Sequence, residues 1–162
     1  MSVGANVLTG ALRPEPREAS LPRNRMAIAV LALVGAFISS YLLLHKLGLI
    51  GALACGTGSC ETVQASPWAV FLGVPVPAWG IVGYGALFGT ALVGLQPSHI
   101  ESRRVAWALL GLAVAAFAFS LYLTALEAFV IHAWCRWCIV SALLTSSIFA
   151  LSLAELPRVR RA

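Results

Sequence analysis

The 162-residue sequence contains no aspartate, and its charged residues amount to only 10% of the chain. Together with 60% apolar residues and a mean hydropathy of +0.89, that shortage of charge excludes a water-soluble globule. Two cofactor signatures are missing as well. There is no Gly-x-Gly-x-x-Gly fingerprint, and Ile139 stands after Cys138 where a haem-attachment site needs histidine, so neither a dinucleotide nor a c-type haem is supported. No nucleic-acid-binding motif accompanies the net charge of +5, and the basic residues flank apolar runs instead of forming a patch, which excludes nucleic acid as a partner.

What remains is membrane-spanning capacity. A bilayer core of about 30 Å takes about 20 helical residues to cross. Met26 to His45, Val105 to Leu126 and Trp137 to Ala154 are free of charged residues, and a longer such run from Thr62 to Ile100 is broken by Pro67, Pro75 and Pro77. Proline is tolerated at a helix start, so the second span begins near Pro77 and ends near Gln96. The fold expected is all-α and integral to the membrane. A four-helix domain over 26–156 has spans at about 26–46, 77–96, 105–130 and 135–155, with a connecting loop at 47–76. Residues 1–25 read as a disordered tail and 157–162 as a basic one.

Nine Lys or Arg residues lie in the two tails and the second connection, against two in the first and third connections. This bias predicts that both termini are cytoplasmic, with the basic flanks held at anionic lipid headgroups. The first and third connections then face outward. A cleaved leader ending at Cys55 is the competing reading of the first run, but that run is too long for a signal core and Lys46 intervenes before the cysteine.

The chemistry sits in four cysteines: Cys55 and Cys60 in the first connection, Cys135 and Cys138 where the fourth span begins. All four fall on the outer, oxidising side, where an even count favours disulfides. Cys135 and Cys138 are three positions apart, so on a helix their Cβ atoms lie roughly 5–6 Å apart on one face. A bridge closing so short a loop is a poor staple. At a helix N-terminus beside Arg136, it suits a reactive pair with a favoured thiolate. Gly56 and Gly58 make the Cys55–Cys60 stretch flexible, able to present its sulfurs first to an outside dithiol and then to the membrane pair. Two dithiols in series permit electron movement by thiol exchange. A lipid-soluble quinone is the acceptor that this location favours.

The stretch CETVQASPWAVFLGVPVPAWGIVGYG at 60–85, with SLYL at 120–123 and AWCRWCIVSA at 133–142, resembles the bacterial homologues of vitamin K epoxide reductase, from about residue 30 to 155. The resemblance implies a four-helix membrane bundle with a short capping segment on the outer face. It also implies a bacterial inner-membrane thiol:quinone oxidoreductase that oxidises a separate thioredoxin-like partner and reduces ubiquinone or menaquinone, without a fused thioredoxin-like domain. On this basis Cys138 faces the quinone, Cys135 exchanges with the loop, and Cys55 and Cys60 relay electrons from the partner. Cys60 is the member expected to meet Cys135. Ser66 to Leu72 should cap the quinone pocket, with Trp68 and Phe71 burying their rings and Trp79 among the pocket residues. Val76 and Ala142 stand where the animal enzymes carry an Asn and a quinone-contacting Tyr, which counts against epoxide reduction.

The alternatives are a thiol-driven reductase of quinone or its epoxide and a metal-binding protein using all four thiolates; neither is preferred, and no metal is expected. Elsewhere, Gly85 and Gly89 form a GxxxG motif suited to close helix packing. Glu127, an acid in the outer half of a span, should either pair with Arg136 or assist proton release. His132 reads as interfacial, and Ser39, Ser40 and Tyr41 as bonding within the bundle.

Overall fold

The computed structural model describes residues 20–55 and 59–159. Helix α1 (Ser20–Lys46) leads into an extended outer segment, the short helix α2 (Ser59–Ala65) and a 3-10 turn (Pro67–Ala69). A small antiparallel hairpin follows, with β1 (Val70–Phe71) paired to β2 (Val74–Pro75). Then come α3 (Val76–Leu95), α4 (Arg103–Leu126) and α5 (Arg136–Val159). Four of the helices are long and apolar enough to cross a membrane, and together they form the four-helix membrane fold expected. In the bundle α1 packs on α3 and α5, and α4 packs on α3 and α5.

Local chemistry explains the boundaries. Helix α3 starts directly after Pro75 and carries Pro77 in its first turn, where the missing N–H costs no hydrogen bond. Helix α4 runs into one π-helical turn, Glu127–Ile131, which ends at His132 in the left-handed region with φ 55°. The His132 N–H closes that turn on the Glu127 carbonyl. Residues 132–135 then bridge to α5, the tight third connection foreseen.

The main core joins Ile28 and Ala32 of α1, Tyr84, Leu87 and Ala91 of α3, Leu109 and Ala113 of α4 and Ile148 of α5. Its closest approach is at Gly35, where an added Cβ would come within 2.3 Å of the Tyr84 ring. The GxxxG expectation is corrected here: a Cβ on Gly85 or Gly89 would meet nothing within 4 Å, so that spacing marks no helix contact among the described residues.

The tails are also corrected. Helix α1 begins six residues before the start read from the charge gap, because Arg25 is not a solvated flank. It is fully buried, with Nε donating to Glu155 Oε2 at 3.3 Å and Nη1 to the carbonyls of Gly94 at 2.6 Å and His99 at 3.1 Å. This cation ties α1, the end of α3 and α5 together at the end of the bundle opposite the cysteines. Helix α5 likewise continues to Val159, into the expected basic tail. Disorder over 1–19, the remainder of the tail at 160–162 and the flexible loop at 56–58 fall outside the described residues.

Candidate active site

The two cysteine pairs, 75 or more positions apart in sequence, meet at one end of the bundle. Cys55, Cys60 and Cys135 belong to a single buried cluster with Ile38 and Leu42 of α1, Leu53 and Val63, and Cys138 packs against it. Cys55 and Cys60 form a disulfide with a Cα–Cα separation of 6.1 Å, whereas Cys135 and Cys138 are free thiols. A metal site of four thiolates needs all four sulfurs reduced, and this arrangement leaves two.

Polar contacts fasten the outer segment over the bundle. Ala54 N–H donates to the Tyr41 hydroxyl at 3.1 Å, and His45 Nδ1 lies 2.9 Å from the Gly51 carbonyl. Lys46 Nζ donates to the backbone carbonyl of Gln64. Tyr41 also meets the Trp137 ring edge-on at 5.5 Å, so α1 supports both the loop pair and the start of α5. Of the three residues expected to bond within the bundle, Ser40 bonds back to Ala36, Tyr41 holds the loop, and Ser39 lines a cavity.

That cavity has a volume of about 320 Å³ and lies between α1, α3, α4 and α5 beneath the hairpin. Its walls are mainly apolar, from Ile38, Leu42, Leu112, Phe119 and Leu123. Cys138 is in the wall; Cys135 is not. Phe71 and Trp79 line it too, joined by the Trp79 Nε1–H bond to the Phe71 carbonyl at 3.1 Å. The Phe71 ring meets Phe119 edge-on at 5.4 Å. Val76, at the position where the animal enzymes carry Asn, is also in the wall, whereas Ala142 is not among the lining residues.

Trp68 is a correction. It stands 47% exposed and does not line the cavity. The 3-10 turn directs Ala69 inward in its place, and the hairpin then brings Phe71 over the opening. The capping segment is thus a turn and a hairpin after the short α2, and Phe71, itself 36% exposed, is not deeply buried either.

Two cavity features escaped the sequence reading. Gln64 lines the wall at only 6% exposure, and its side-chain oxygen has no hydrogen-bond partner among the described residues. Its signal was available: four positions after Cys60 on α2, it shares that cysteine's buried face. The Tyr84 hydroxyl, bonded to Ser141 Oγ at 2.7 Å and to the Ser141 carbonyl at 3.1 Å, fixes α3 against α5 one turn below Cys138. Nothing in its spacing announces that partner.

Glu127 completes the centre. Only 4% exposed, its carboxylate accepts the Cys135 N–H at 3.1 Å, and a carboxylate oxygen and both free sulfurs lie within 4.8 Å of one another. The alternative pairing with Arg136 is not made: Arg136 is exposed, and the one ion pair among the described residues is Arg25–Glu155. The Cys135 thiol is held below the ordinary cysteine value, first by the hydrogen bond from the Cys138 thiol. The backbone N–H groups of Cys138 and Trp137 act in the same direction, outweighing burial and the nearby Glu127 charge.

Comparison with known proteins agrees with this architecture. The model of the vitamin K epoxide reductase family matches residues 26–153. The thiol-disulfide oxidoreductase LTO1 of Arabidopsis thaliana is 36% identical over 104 residues, which cover 62% of this chain and 28% of that protein. With a family match across most of its length, a four-helix membrane fold and two cysteine pairs gathered at one end, the chain belongs to the vitamin K epoxide reductase family.

Proposed function

We propose that this protein is a membrane thiol:quinone oxidoreductase, which takes electrons from a separate thioredoxin-like dithiol protein outside the cytoplasm and so sustains disulfide formation there. The observation that carries the reading is the gathering of all four cysteines at one site, with Cys138 alone of them opening onto an apolar cavity. The name of the Arabidopsis relative, a thiol-disulfide oxidoreductase, points to the same chemistry. The excess of Lys and Arg in the tails and second connection supports cytoplasmic termini in a bacterial inner membrane, with the cysteines on the far side.

The cavity suits a quinone head group. Its apolar walls match a flat ring, and the desolvated Gln64 amide in the wall serves both redox forms, its N–H donating to a ring carbonyl and its unpartnered oxygen accepting from the O–H of the reduced ring. Phe71, Trp79 and Gln64 would hold the ring beside Cys138, and Trp68 has no place in that set. When bound, the quinone supplies a two-electron, two-proton sink. The chain's own steps are thiol exchanges. A partner thiolate attacks the Cys55–Cys60 bond, and the second partner thiol resolves the mixed disulfide, leaving partner oxidised and loop reduced. Cys60 then attacks Cys135 of the oxidised membrane pair, releasing Cys138 as thiolate. Cys55 resolves the Cys60–Cys135 bond, restoring the loop disulfide and leaving Cys135 and Cys138 reduced. The helix N-terminus and the short reach between sulfurs favour thiolate and lower the entropic barrier.

The test is direct. Cys135→Ser and Cys138→Ser should each abolish reduction of a short-chain quinone by a thioredoxin-like dithiol protein, and Cys60→Ser, which leaves no loop disulfide for the donor to attack, should abolish it as well. Substantial turnover in either membrane-pair variant would refute the relay.

A further inference from the structure

Oxidising a dithiol releases two protons as well as two electrons, and thiol exchange alone does not say where the protons wait. The membrane pair lies in a buried cluster, so a local acceptor is required. Glu127 is the acidic residue placed there. It opens the π-helical turn at the end of α4, a distortion often found at functional sites, and its side chain is turned away from solvent toward the pair. Its carboxylate is fixed on the Cys135 N–H, within 4.8 Å of both sulfurs.

The other titratable groups of this end leave Glu127 to the thiols. Arg136 of α5 and His132 of the connection are exposed and form no ion pair with it. Lys46 of α1 is engaged by the Gln64 carbonyl, Glu61 of α2 is exposed, and the Tyr41 hydroxyl faces Ala54. A carboxylate and a thiolate this close in a desolvated site disfavour double ionisation, so one proton is shared between them.

We propose that Glu127 is the proton acceptor of the reduced Cys135–Cys138 pair, holding the proton that Cys135 releases until the two sulfurs join. This rests on the relay reading, which supplies the oxidant, a quinone. In the first step Cys135 gives its proton to Glu127, forming thiolate and carboxylic acid with no change in net charge. In the second, the S–S bond forms, and two electrons leave the sulfurs for the quinone together with the Cys138 proton and the proton held on Glu127. The disulfide and the carboxylate are restored, and the acceptor has gained two electrons and two protons. Cys138, in the cavity wall and near the carboxylate, is the group past which both protons travel.

Redox-difference infrared spectroscopy on the intact protein without quinone tests this. Reducing Cys135–Cys138 at neutral pH should produce a carboxylic-acid C=O band, absent in Glu127→Gln and shifted in Glu127→Asp. Isotope labelling of glutamate assigns the band in the wild type should a variant not fold. No carboxylic-acid band on reduction, or one that survives in Glu127→Gln, overturns the proposal. In single turnover with a short-chain quinone, Glu127→Gln should oxidise its dithiol on the order of 10²-fold more slowly at neutral pH, a gap that narrows as pH rises and hydroxide removes the proton. A merely structural role would give the same deficit at every pH. A wild type that shows the band but never reduces quinone sinks the relay reading and leaves the proton acceptor standing.

Discussion

Replacing Gln64 by leucine should move stability and quinone affinity in opposite directions. Gln64 is 94% buried by its 6% exposure, and its side-chain oxygen has no partner among the described residues, so the ligand-free protein carries a desolvated polar group. Such an orphan costs about 1–3 kcal/mol, whereas leucine has similar volume and suits the apolar wall. Gln64→Leu should therefore raise the unfolding free energy of the quinone-free protein by about 1 kcal/mol or more, read from denaturant titration in detergent micelles. The bond from Lys46 survives, because it goes to the backbone carbonyl of residue 64. Affinity should fall. One neutral hydrogen bond from the Gln64 amide N–H to a ring oxygen contributes about 1 kcal/mol, and its loss weakens short-chain quinone binding roughly fivefold. Trp79 lines the same cavity, so quenching of its fluorescence reports the binding. A leucine variant that is less stable and binds quinone as tightly would show that the amide serves the fold and not the ligand.

Two further outcomes follow from buried charge. Glu155→Leu alone should cost about 3–5 kcal/mol, because it leaves the fully buried Arg25 cation without its carboxylate, and Arg25→Met should also destabilise by breaking the pair, whereas the double variant should recover much of the Glu155→Leu loss. Single variants within about 1 kcal/mol of wild type would show that the pair is dispensable. For Cys135, a thiol value below the ordinary one means that its thiolate persists to lower pH. With the loop disulfide intact, thiolate absorbance should develop at lower pH than in a free cysteine. Removing the largest cause in Cys138→Ala should move that onset upward; an unchanged or lower onset would contradict the assigned hydrogen bond.

The spans were legible because crossing a bilayer demands a long uncharged run, and charge gaps mark such runs within a few residues. The same rule fails at Arg25. A charge was read as the end of a span, yet this one is buried by Glu155, 130 positions away, and no local pattern announces so distant a partner. The cysteines were legible by spacing, and the structure gathers all four of them at one end of the bundle. Spacing was less informative for packing. GxxxG at Gly85 and Gly89 gives a stripe but not the face it presents, and Gly35, without any motif, meets Tyr84. Trp68 and Phe71 looked equivalent as aromatic cap residues. Only the hairpin register, with Phe71 opposite Val74, separates the ring that reaches the cavity from the one left outside.

The burial of the loop disulfide imposes a further condition on the relay. Cys55 is 5% and Cys60 1% exposed, so an outside dithiol cannot reach either sulfur in this arrangement. It is the arrangement left by inward exchange, loop oxidised and membrane pair reduced, with Cys60 in the same cluster as Cys135. Meeting the partner requires the outer segment to lift, breaking contacts such as Lys46 to the Gln64 carbonyl and Ala54 to Tyr41. Because Cys60 and Gln64 share the buried face of the seven-residue helix α2, a motion that carries Cys60 outward also withdraws Gln64 from the cavity wall. The quinone grip and the partner's access then exclude each other by geometry. A bound ring that engages Gln64 should hold the loop inward until the membrane pair has passed on its electrons, and release of the reduced ring should free the loop for the next donor.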